Sequence, residues 1–180
     1  MHEGLPVFTA WSSFYVITGS SAAALTGLMF VVVTLVAGRG WQPSVDPQEG
    51  FATFSTPTVL HFAAAFLVSG ILSAPWQSIL YAGAVIALVG LFGFLYMLRV
   101  MARTKRLTGY DVPPEDWLWY GMLPIIAYVV IISAGILVFS VALTVGLFLL
   151  AAATLLLIFI GIHNAWDTVT YITAEQIRER

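Results

Sequence analysis

From Gly4 to Gly38 the chain carries no charged residue, a run of 35 positions. Residues 117–166 are equally free of charge. A helix needs about 20 apolar residues to cross a bilayer. The first run therefore holds one crossing. The second is too long for one and suits two joined by a minimal connection. Only 9% of the residues are charged and 60% are hydrophobic, whereas a soluble domain carries about 25% charged residues. So few charges cannot cover a water-facing surface, so the solvent is lipid. The expected fold is all-α: one integral membrane bundle of five transmembrane helices over residues 1–180. The spans fall at about 10–37, 55–73, 76–100, 117–140 and 143–167, followed by a cytoplasmic helical tail at about 168–180.

The cations give the threading a direction. Arg39, Arg99, Arg103, Lys105, Arg106, Arg178 and Arg180 are all the Lys and Arg residues of the chain. With five crossings and the N-terminus outside, each falls on the cytoplasmic side, as the resistance of positive charge to translocation requires. The opening residues MHEGLPVFTA lack a basic n-region, so no cleaved secretory signal is expected.

Local punctuation sets the boundaries. Gly38-Arg39-Gly40 ends the first span, and residues 41–50, with Pro43 and Pro47, read as a short cytoplasmic loop. Ser55-Thr56-Pro57 reads as an N-cap with proline at the first helical position. The alternative is that residues 51–56 are helical too and Pro57 is a kink. Ser73-Ala74-Pro75-Trp76 reads as a tight outer turn, and residues 108–114 have strong turn chemistry. Trp117, Trp119 and Tyr120 mark the return to the inner interface. The break between the last two spans is expected near 140–146. Residues 82–98 of the third span have no polar side chain except Tyr96, so this span is expected to face lipid. No internal repeat is visible, which argues against an inverted-repeat transporter.

Several chemistries are excluded. Cysteine is absent, so there are no disulfides, thiolate metal sites or thiol nucleophiles. No basic patch interleaves with aromatics, so nucleic acid is not an expected partner; membrane lipid is. There is no G-x-S-x-G, P-loop or G-x-G-x-x-G, and a non-enzymatic protein is expected.

Polar residues inside lipid are costly and mark functional positions. The pathway or ligand candidates are His61 and Thr58 in the second span, and His163, Asn164 and Asp167 in the last. His163 and Asp167, at i and i+4, share one helix face. The threading puts all three ionisable groups at similar depth in the inner leaflet. An imidazole meeting a carboxylate has a fixed tautomer, an arrangement used in proton relays and in metal sites. It is equally the arrangement of a plain helix-end pair wetted by the interface. Haem held axially by His61 and His163, or a divalent metal on the same histidines, is the cofactor alternative. On the first span, Gly19, Ala23 and Gly27 recur every four residues with Ser20 alongside. Such small residues let helices approach closely, within one bundle or between copies in a homo-oligomer.

Trp11-Ser12-Ser13-Phe14-Tyr15, followed by the Gly/Ala/Ser-rich segment and Leu25-Thr26-Gly27-Leu28, resembles the opening of widespread small multi-spanning bacterial membrane proteins whose activity is not established. The resemblance covers the first span. It implies a bacterial inner (plasma) membrane location and no catalytic residues.

The functional expectation is a self-associating membrane protein that forms or regulates a path for ions, protons or small solutes. The alternatives are a haem- or metal-binding redox subunit and a structural accessory subunit of a membrane complex.

Overall fold

The computed structural model describes residues 4–38, 47–104, 114–138 and 143–178. The described residues are helical throughout apart from short turns. The helices are α1 (Gly4–Gly38), α2 (Pro47–Ser73), α3 (Ile79–Thr104), α4 (Pro114–Trp117), α5 (Leu123–Leu137) and α6 (Leu143–Arg178), with a π-helical turn at Leu118–Met122 between α4 and α5. Among the described residues, five helical stretches are long and apolar enough to cross a membrane: Thr9–Thr34, Thr56–Ser73, Ile79–Thr104, Pro114–Leu137 and Leu143–Thr170. Five crossings put the start of α1 and the end of α6 at opposite ends of the bundle, called here its N-terminal and C-terminal ends. Of the cations, Arg39, Lys105, Arg106 and Arg180 lie outside the described residues, as do positions 41–46, 108–113 and 139–142 of the expected loops.

Two boundaries differ from expectation for local reasons. The second helix starts at Pro47 and carries Pro57 inside it. The lead-in is thus helical, and Pro57 is an interior proline of the kind that membrane helices tolerate. The third starts at Ile79 rather than at 76. Trp76 closes the preceding helix instead: its indole N–H donates to the Ile71 carbonyl at 2.6 Å. The Ser78 hydroxyl then accepts the Leu80 N–H at 3.3 Å and opens α3.

In the packing, α2 lies against α1, α6 and α3, while α5 lies against α3 and α6. Small residues set the close crossings. A Cβ at Gly93 of α3 would run into the Tyr128 ring of α5, and one at Gly161 of α6 would run into the Phe62 ring of α2. Residues 82–98 therefore divide between two faces. Ala82, Gly83, Ile86, Gly90, Gly93 and Met97 are buried, whereas Leu88 and Phe92 stay 62% and 61% exposed.

Large apolar side chains point outward all around the bundle, among them Ile17, Phe30, Leu80, Phe148 and Phe159. Water would not tolerate so much contiguous apolar surface. Lipid solvates it, while helices satisfy the backbone internally. The chain is an all-helical, multi-pass membrane protein.

Candidate functional site in the bundle interior

The α2 helix supplies the spine of the polar interior. Thr58, His61 and Ser69 are all buried to 1% exposure or less. They recur at helical spacing and so share a face. From Thr58 to Ser69 the helix rises on the order of 16 Å, more than half of a hydrocarbon core about 30 Å thick.

Each neighbouring helix brings something to that face. Near the N-terminal end, the Ser69 hydroxyl lies 3.0 Å from the Thr18 hydroxyl of α1, where Gly19 leaves room for the Ser69 side chain. One turn further along α1, the buried Tyr15 hydroxyl donates to the Leu147 carbonyl of α6 at 3.3 Å. Two turns towards the C-terminal end, His61 Nδ1 pairs with the Tyr128 hydroxyl of α5 at 2.9 Å. Gly93 makes this pair feasible, because any side chain there would displace the phenol ring. His61 Nε2 is buried and has no hydrogen-bond partner.

Asn164 of α6 is fully buried, and neither side-chain atom has a hydrogen-bond partner. Its backbone carbonyl accepts from the Thr168 hydroxyl at 2.8 Å and the Tyr120 hydroxyl at 3.4 Å. Leaving a buried polar group unpaired costs about 1–3 kcal/mol. The packed interior thus carries unpaired polar atoms on two adjacent helices, α2 and α6.

His163 belongs to a different setting. Its ring stacks on Trp119 with centroids 3.8 Å apart and planes 22° apart. Its Nε2 lies 3.6 Å from Asp167 Oδ2, an ion-pair distance too long for a hydrogen bond. The π-helical turn explains how Trp119 gets there. Leu123 N–H donates to Leu118 O, five residues back, and Pro124 just beyond cannot donate at all. The widened turn presents Trp119 to Phe159 and His163, and Tyr120 to Asn164.

The sequence candidates thus sort into two groups. Thr58, His61 and Asn164 are enclosed in the bundle, while His163 and Asp167 form a partly exposed pair. Phe62 seats on Gly161, which keeps the two histidines within about one turn along the bundle. Among the described residues, no hydrogen bond or ring contact joins the two imidazoles, and no three His, Asp or Glu side chains group as metal ligands. On α1, Gly19 is buried against Ser69, whereas Ser20, Ala23 and Gly27 are exposed, and nothing lies within 4 Å of a Cβ placed at Gly27. Sequence reasoning missed Tyr128 and Trp119. The signal for Tyr128 was available: a buried imidazole needs a partner, and the fourth span offers few polar side chains.

Comparison with protein-family models, curated proteins and solved structures finds no match.

Proposed function

We propose that this chain is a non-enzymatic protein of the bacterial inner (plasma) membrane that forms or regulates a permeation path for protons, ions or small solutes. The observation that carries this reading is the set of buried polar side chains, Tyr15, Thr18–Ser69, His61–Tyr128, Thr58, Thr154 and Asn164, inside a mostly apolar bundle. Polar groups in lipid are costly and mark routes and relays. The N-terminus lies outside and the C-terminus in the cytoplasm, in keeping with the cation pattern. Self-association uses the outward face of α1, where Ser20, Ala23 and Gly27 leave a shallow strip for a second copy.

Flux into vesicles of phosphatidylcholine and phosphatidylglycerol tests the reading. Protons, sodium or potassium should cross faster with the protein than without it; equal leak for all three contradicts a path. The absence of cysteine makes single-cysteine labelling clean. Probes at Arg103 and Thr173 should both resist an impermeant reagent added outside intact cells, and labelling at either site overturns the orientation.

A second reading rests on His61 alone. One ring nitrogen is tied to Tyr128 and the other is unpartnered, as in a histidine held ready for a metal or haem iron. A Soret band or stoichiometric metal in the purified protein would favour it.

A further inference from the structure

Asn164 and His61 lie on the same side of one helix crossing. The Phe62 ring of α2 fills the space that the missing side chain of Gly161 leaves on α6. Asn164 lies three residues beyond Gly161 and is buried like it, so both are on the face that meets the bundle. His61 precedes Phe62 and is fully buried. Spans two and five run antiparallel, so moving from the crossing towards the C-terminal end reaches Thr58 on α2 and Asn164 on α6.

What these residues offer is specific. The Asn164 amide has two donor hydrogens and an acceptor oxygen, and His61 Nε2 adds one further site; none has a hydrogen-bond partner in the protein. Water is held inside proteins by two to four such groups. Besides the phenols of Tyr15 and Tyr128, the buried polar side chains among the described residues are Thr18, Thr58, His61, Ser69, Thr154 and Asn164. Asp, Glu, Lys and Arg are missing from that set. A divalent cation gives up its hydration shell to several oxygen ligands, usually including carboxylates. Neutral hydroxyl and amide groups instead orient water, and an imidazole exchanges protons with it.

We propose that water bridges His61 Nε2 and the Asn164 amide, and that the species passed along the path is the proton. This rests on the permeation reading above and names its substrate. With its hydrogen on Nδ1, the imidazole donates to the Tyr128 oxygen and turns a lone pair at Nε2 to the water. Hydronium gives one proton to Nε2, leaving water and an imidazolium. The imidazolium then gives that proton from Nε2 to the next water on the path, which becomes hydronium, and the imidazole is neutral again. Asn164 is a positioning residue: it anchors the water and takes no proton itself.

The experiment combines two measurements on the full chain in the vesicles described above. Solid-state NMR would follow magnetisation transfer from water to the Asn164 amide and the His61 ring. Ion-specific dyes would follow proton, sodium and potassium flux. The expected results are rapid water transfer to both side chains and a flux carried by protons alone. Asn164→Leu removes the unpaired amide, so it should keep or raise the unfolding midpoint, abolish water transfer to His61, and lower proton flux to the protein-free rate. Sodium or potassium crossing as fast as protons leaves the path standing and overturns the proton assignment. Dry side chains, or wild-type flux in Asn164→Leu, overturn the water bridge. No flux of any ion overturns the permeation reading itself, and this inference with it.

Discussion

His61 and His163 lie within about one turn of each other along the bundle, yet their environments are opposite. His61 is fully buried and pairs with a phenol that only a glycine of a third helix allows into place. His163 keeps about a quarter of its side chain exposed, stacks on an indole and faces a carboxylate that is itself 45% exposed. Surroundings account for the choice of partner. In hydrocarbon an ionised carboxylate is expensive, and a neutral hydroxyl satisfies an imidazole without charge. Where water reaches, a carboxylate stays solvated and an ion pair adds little. The enclosed pair therefore depends on close packing, while the outer pair is tolerant of loss.

That contrast can be broken at several points. The largest effect is expected at Gly93, where a side chain meets the Tyr128 ring. Gly93→Val should destabilise the bundle by about 3 kcal/mol, the upper range for overpacking, and displace the phenol from His61. Thermal unfolding in detergent would measure this, and an unchanged midpoint would mean that α3 and α5 do not cross so closely.

Tyr128→Phe removes a single hydroxyl and leaves Nδ1 of the buried imidazole without its partner, at a cost of about 1–3 kcal/mol. Combining it with His61→Leu should recover most of that loss, because removing both members of a buried pair is close to neutral. A double-mutant cycle reads the coupling directly. Additive effects would deny the hydrogen bond.

The smallest effect is expected at the outer pair. Asp167→Asn should cost less than about 1 kcal/mol, and less still in high salt, since exposed charges are screened. Salt should leave the His61–Tyr128 coupling unchanged. A salt-independent loss at Asp167 larger than that at Tyr128 would invert the comparison.

Much of this was legible in the sequence, and the parts that were not share a cause. Charge-free runs pointed to five spans because lipid admits little else, and α6 runs on past the last of them to Arg178. His61, Thr58 and Asn164 stood out because polar residues are scarce in such a chain. The start of α2 was ambiguous because proline reads equally as a first-turn residue and as a kink. The start of α3 was hidden because Trp76 looked like an interfacial anchor and instead closes α2. Tyr128 was passed over because tyrosine in a membrane chain usually signals the headgroup region, and only packing on Gly93 reveals its hydroxyl as the partner of His61. The Trp119–His163 stack depends on a π-helical turn that no periodicity in the sequence announces.

The most direct test is proton flux through vesicles bearing the double variant His61→Leu/Tyr128→Phe, which keeps the core volume and leaves no unpaired imidazole or phenol. A path through this pair predicts a folded protein with a near-wild-type unfolding midpoint and a proton leak no faster than that of empty vesicles. Wild-type flux through the same folded variant would contradict it.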